Sequence, residues 1–282
     1  MRIALCLICV LLAAGCSKGP GIVHEVVAVH AEKLPESPDD PIWDRAPEHV
    51  AKMVPQDLVE PRLMTPSTGE VRVRSVTNGE TIAFRLTWRD ADKSDRPGPS
   101  KMVDACAIQT PEAGGPDLPD PQMGEPEKPV QLTYWRADWQ ALVDGRGDTI
   151  HDLYPNASVD HYPYEAKSLE RGSADQQEMA RRYAPAHVLG NLRAGPRTSA
   201  VESLVAAGPG TLGPGPDTRS AGRGVHGPEG WSVVLSRTMP NGLAPNQRTH
   251  IALAVWEGSR RETGARKMRS GWIPLLWRGE NQ

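Results

Sequence analysis

Alternation of apolar and polar residues is the strongest pattern along this chain. In EVRVRSVTNGETIAFRLTWRD, residues 70–90, Val71 and Val73 alternate with Arg72 and Arg74, and Ile82, Phe84, Leu86 and Trp88 then occupy every second position. A period of two sorts side chains onto the two faces of a strand, and Asn78-Gly79 between the runs supplies a hairpin turn. MVDACAIQ, PVQLTYWRA, GWSVVLSRTM and HIALAVWEG also read as strands, each bounded by Pro, Gly or Asn. Several are apolar on both faces, as the middle strands of a packed sandwich are. HEVVAVHAEKLP reads as a first strand, and DDPIWDRAPEHV as a turn and docking segment anchored by Trp43. SADQQEMARRYA is the fair helix candidate, and GPGTLGPGPDTRSAGRGVHGPEG, residues 208–230, reads as a flexible loop or insertion. The sum predicts an all-β sandwich with a few short helices and long loops between residues 141 and 230.

Composition agrees. The chain has 282 residues with 27 Pro and 27 Gly, which argues against long helices and for short strands joined by loops. A net charge of −3 without any Arg/Lys block gives no reason to expect a nucleic-acid partner. The opening MRIALCLICVLLAAG, residues 1–15, has an early Arg, an apolar core and small residues at its end. That is the form of a secretory signal, too short to span a bilayer. LLAAGCS then reads as a bacterial lipobox with Cys16 as the acylated residue, an anchor that holds a domain at a membrane without crossing it. An incidental Cys behind an ordinary signal is the alternative. The expected organisation is a signal peptide over 1–15, a lipidated N-terminus with linker and first strand over 16–37, and one sandwich domain over 38–282. The expected location is the periplasmic side, with Ser17 after Cys16 leaning towards the outer membrane by analogy. Cys6 and Cys9 leave with the signal, so Cys106 remains alone, without a disulfide framework, and reads as a buried, inert thiol.

Little in the sequence carries chemistry on its own. His151 and His161, beside Asp152 and Asp160, lack a close zinc-ligand spacing, and no G-x-S-x-G, P-loop or G-x-G-x-x-G occurs. Met123 sits in the Pro- and Gly-bounded loop DPQMGEPEKP, and Lys267 in ETGARKMRSGW before the last strand. Read alone, they are a cap on the core edge and a solvated lysine. Tyr134, Trp135 and Trp139 are equally consistent with core packing.

The order of segments adds a further reading. DPIWDRAP, IAFRLTWRDADKSD, VDACAIQ, QMGEPEKPVQLTYWRADWQ, LGN, GWSVVLSR and IALAVWEGSRRETGARKMRSGW together resemble the ethylbenzene dehydrogenase γ-subunit family, over residues 38–277. That family supplies the haem b subunit of type II molybdenum enzymes of the dimethyl sulfoxide reductase superfamily. The resemblance implies an immunoglobulin-like or DOMON-like antiparallel sandwich. It further implies a haem whose axial ligands are Met123, in QMGEP, and Lys267, in GARKMRSGW, with adjacent Met268 as an alternative second donor. Tyr134 and Trp135 would wall the porphyrin slot and Arg136 would meet a propionate. Without a C-x-x-C-H motif the haem would be non-covalent haem b. The implied role is that of a non-catalytic electron-transfer subunit. Its partners would be a molybdopterin-containing catalytic subunit, an iron–sulfur subunit and a c-type cytochrome or similar carrier. A haem-free carbohydrate-binding or DOMON-like scaffold lipoprotein is the second expectation.

Overall fold

A computed structural model describes residues 24–147, 152, 154–156, 173–175, 177–178 and 197–279. The signal segment, Cys16, His151, His161 and most of the helix candidate lie outside the described residues. In chain order the strands are β1 (Val26–His30), β2 (His49–Lys52), β3 (Val54–Pro55), β4 (Glu70–Thr77), β5 (Thr81–Trp88), β6 (Ala105–Pro111) and β7 (Val130–Arg136). After α1 (Ala137–Val143) come β8 (Val201–Ala206), β9 (Gly213–Pro214), β10 (Ala221–Gly227), β11 (Gly230–Thr238), β12 (Arg248–Trp256), β13 (Met268–Arg269) and β14 (Ile273–Trp277). Short 3₁₀ turns cover Pro41–Arg45 and Gly258–Arg260.

The strands hydrogen-bond in the order β10-β11-β5-β4-β1-β14-β12-β6-β7-β8-β9. β12 turns this path into a sandwich. Its first half, Arg248–Ile251, pairs with β14, and its second half, Ala252–Trp256, pairs with β6. A strand that changes sheets makes a corner between two layers. Both layers feed one core: Val73, Phe84, Leu86, Val233 and Leu235 come from the first, and Cys106, Ile108, Trp135, Leu253 and Val255 from the second. Each large side chain buried there contributes about 1.5–3 kcal/mol.

The all-β sandwich expected from alternation is therefore the fold, with differences in detail. β1 pairs parallel to both β4 and β14, where a wholly antiparallel arrangement was expected. Alternation shows which face a residue takes and not which way its neighbour runs, so pairing between distant segments was not legible. The β4–β5 hairpin forms, Gly79 taking φ +93 while the Asn78 side chain accepts from the Glu80 and Thr81 amides. The region expected as long loop up to residue 230 contains β8, β9 and β10. Gly-rich β10 is a strand because its glycines admit β11 and the Trp135 ring; a Cβ on Gly224 would overlap that ring. Trp43 is fully buried, as its anchoring role requires.

A polar strut braces the start of β6. Asp104 is buried, its Oδ2 accepting from the Ser94 amide at 2.7 Å and Trp231 Nε1 at 3.0 Å, its Oδ1 from the Gly258 amide at 2.8 Å. Nearby, Asp90 accepts from the Asp92 amide at 3.1 Å through Oδ1, while its buried Oδ2 has no partner. Burial first, and then the Asp104 charge, raise the Asp90 carboxyl to about 7. Cys106 is fully buried, and burial alone pushes its thiol well above the ordinary range, as an inert core thiol requires.

Candidate functional site

The second layer's outer face floors a cavity of about 420 Å³. Two rows of the register build the floor. Ala254, Ala107 and Tyr134 lie side by side, and the adjacent row runs Ala252, Gln109, Leu132 and Leu204. Alanine on neighbouring strands keeps this stretch of sheet low, which leaves open space above it. Trp256, two positions beyond Ala254, closes one end. Loops carrying Gln56, Val59 and Glu60, Gln122 and Met123, Pro209 and Leu212, and Thr263 to Lys267 form the walls.

The Met123 loop is held in an unusual conformation. Met123 takes φ +80 and Gly124 φ +77, two successive left-handed residues. For a residue with a side chain this costs on the order of 1–3 kcal/mol and persists only where the surroundings impose it. Here they do: the Gly124 amide donates to Asp120 O at 2.8 Å and the Gly208 amide to Met123 O at 2.9 Å. From the sheet, Gln109 Nε2 donates to Pro121 O at 3.2 Å, and Trp272 Nε1 donates to Pro119 O at 2.7 Å. The thioether then packs against Val130, Leu132, Leu204 and Ala206.

Lys267 enters from the opposite wall. Gln56 clamps its loop, the backbone amide donating to Lys267 O at 2.9 Å and the side-chain amide to Ala265 O at 3.2 Å. Lys267 Nζ lies 5.1 Å above the Trp256 ring and donates to Met123 Sδ at 3.6 Å, across 144 positions of sequence. No carboxylate pairs with it among the described residues. Burial, assisted by the Arg269 charge, lowers this amine from its ordinary range to about 8. A thioether is a weak acceptor for an ammonium. Once deprotonated, the same nitrogen presents a lone pair, and the two groups become a facing pair of soft and borderline donors.

The other sequence-predicted residues separate by parity. Tyr134 and Arg136 share the cavity face of β7. Tyr134 makes edge contacts with Trp256 at 5.3 Å and Trp139 at 5.5 Å. Arg136 forks onto Asp138 through two 2.8 Å hydrogen bonds and lies 5.0 Å over Trp139. Trp135, expected as a slot wall, points the other way: it is fully buried in the sandwich core, 4.9 Å from Trp231, with Nε1 donating to Gln140 Oε1 at 3.3 Å. Trp139, on α1, packs behind Tyr134 and carries the Arg197 guanidinium 3.7 Å over its ring. Met268 is also fully buried in the core, opposite Val255, which removes it as a competing donor in this cavity. Trp256 and Arg269 line the cavity and were missed as site residues. The run Ala252, Ala254, Trp256, small residues ending in an aromatic on one face, was the available signal for the first.

These features define a β-sandwich protein with a cavity on one outer sheet face, bordered by a thioether and a buried amine. Residues 40–268 match the family model described as ethylbenzene dehydrogenase, and the chain belongs to that family. A Haloferax mediterranei protein, provisionally named a respiratory nitrate reductase heme subunit, is 25% identical over 281 residues, covering 96% of this chain and 79% of that protein. Among solved structures, a family 9 carbohydrate-binding module from Caldicellulosiruptor kristjanssonii with cellotriose superposes at a TM-score of 0.44 and 9% identity, covering 91% of this chain and 95% of the module. A family 9 module from the same organism with glucose gives a TM-score of 0.39 at 9% identity, covering 91% of this chain and 98% of that module. Among the described residues no cluster of three or more His, Cys, Asp or Glu side chains is placed to hold a metal ion, and no helix is long and apolar enough to cross a membrane.

Proposed function

We propose that this protein is a b-type cytochrome, a haem subunit of a respiratory oxidoreductase, with Met123 and Lys267 as the axial donors. The observation that carries this reading is the 3.6 Å approach of Lys267 Nζ to Met123 Sδ over an apolar floor. The donor chemistry fits. A thioether is a ligand that haem iron accepts, and a neutral amine would offer a nitrogen lone pair. Both side chains are unbranched, so rotamer changes would let them part to admit the group.

Bound there, haem supplies a one-electron centre whose potential a thioether ligand raises. The protein's own residues do the rest. The left-handed Met123 backbone aims the sulfur, and the Gln56 clamp and Trp256 ring hold the lysine. A desolvated pocket lowers the cost of releasing the Lys267 proton. Tyr134 and Arg136 bound the cavity edge beside Trp256. With Met123 and Lys267 both donating, the site would suit electron transfer rather than substrate binding.

In this reading Cys16 carries the lipid that holds the domain on the periplasmic side of a membrane, the outer membrane by the Ser17 signal. Electrons pass between a molybdopterin-containing catalytic subunit with its iron–sulfur partner and a c-type cytochrome or similar carrier. A visible spectrum of the purified full chain is the test. A sharp low-spin Soret band with reduced α and β bands is expected, and Met123→Ala abolishes or moves them. Protein that stays colourless after haem supplementation refutes the cytochrome reading and leaves a haem-free binding module. An unchanged spectrum in Met123→Ala refutes the ligand alone.

A further inference from the structure

The cavity holds an unsatisfied cation. Arg269, on β13 directly across from Ala254, lines the cavity. Its Nε is buried without a hydrogen-bond partner. No carboxylate pairs with it among the described residues. A buried donor left unpaired costs about 1–3 kcal/mol, and this one borders the cavity, where a bound ligand can satisfy it. Of the other charged groups on the lining, Arg136 and Glu60 are already balanced, and Lys267 faces Met123 with no carboxylate beside it among the described residues. Arg136 is forked onto Asp138 at 2.8 Å, and Glu60 is paired with Arg62 at 2.8 Å. The surplus charge is thus positive and lies on the β13 side, across the alanine floor from Tyr134.

We propose that Arg269 is the receptor for a carboxylate of the bound ligand, so that the cavity selects a planar ligand with an anionic edge and orients that edge toward β13. The assignment rests on the cytochrome reading, in which the carboxylate is a haem propionate. Guanidinium–carboxylate pairing is directional and charge-assisted, so it fixes the in-plane rotation that two axial donors leave free. It also moves the propionate contact from Arg136, whose fork is occupied, to a guanidinium with none.

The test uses the full chain without haem, titrated with ferric haem b and with its dimethyl ester, both carboxylates of which are masked. Wild type, Arg269→Gln and Arg269→Lys are compared by Soret change. Arg269→Gln is expected to weaken haem binding about tenfold, a loss of about 1.4 kcal/mol, with Arg269→Lys intermediate. The ester is expected to bind wild type about tenfold more weakly than haem and not to distinguish wild type from Arg269→Gln. The wild-type comparison of haem with ester needs no mutant, so it stands even if a variant misfolds. Equal affinities for haem and ester in wild type overturn the assignment, as does an Arg269→Gln penalty that persists with the ester. A wild type that gives no Soret change with haem overturns the cytochrome reading and this assignment together.

Discussion

Replacing Lys267 by leucine should make the haem-free protein more stable while destroying the site. The amine's ordinary pKa of 10.5 falls to about 8 in the folded protein, through burial and then the Arg269 charge. Below about pH 8 the lysine is charged both folded and unfolded, and the folded state bears the full desolvation cost. Between about 8 and 10.5 the folded state releases its proton before the unfolded state does, so the cost fades and stability rises with pH. The interval corresponds to about 3 kcal/mol at neutral pH. Leucine removes that cost and forfeits the contact over Trp256, worth about 0.5–1 kcal/mol. The net gain is then about 2 kcal/mol at pH 7, or about 4–8 °C in Tm for a domain of this size. Urea denaturation of haem-free wild type and Lys267→Leu from pH 6 to 11, followed by tryptophan fluorescence, measures it. Wild type should gain stability above about pH 8, the variant should not, and the curves should converge near 10.5. Parallel pH profiles, or a variant less stable at pH 7, would show that the amine is not held desolvated and would remove the argument that this lysine is set up to lose its proton.

Asp90→Asn should stabilise the protein above pH 7 and have little effect near pH 4. The raised carboxyl disfavours the folded state once ionised, a cost that grows between 3.8 and about 7 and is constant above. Solvent screening reduces the expected gain to about 1–2 kcal/mol, readable as a Tm difference between Asp90→Asn and wild type at pH 5 and pH 8. Gly224→Ala should destabilise by about 1–3 kcal/mol, because its Cβ meets the buried Trp135 ring; denaturant midpoints decide, and an unchanged midpoint would mean that β10 moves away freely.

How much of this was legible depends on the range of the signal. The β4–β5 hairpin is local: alternation and a glycine turn specify it within a single stretch, and it formed where expected. α1 was missed because it follows β7 without a break and Arg136, at its N-cap, makes no capping side-chain bond. The orientation of Trp135 was legible and went unused. Leu132, Tyr134 and Arg136 share one parity on β7, so Trp135 had to face the other layer. The Met123–Lys267 approach had no local signal at all. It depends on loops from distant strands meeting over the sheet, and only resemblance joined the two residues beforehand. Arg269 was visible as a neighbour of Lys267, but its lack of a partner is a property of three-dimensional surroundings.

β12 has a consequence for how such a protein can diversify. Leu253 and Val255 fill the sandwich core while Ala252 and Ala254, interleaved with them, floor the cavity. A single inserted residue would trade the two sets, putting bulk under the ligand and holes in the core. The register of the floor is therefore tied to that of the scaffold. The walls are under no such bond. Residues 56–60, 209–212 and 263–266 sit on loops, where insertions cost little. These rims can change at little cost to the scaffold, whereas the alanine floor shares its strand with the core.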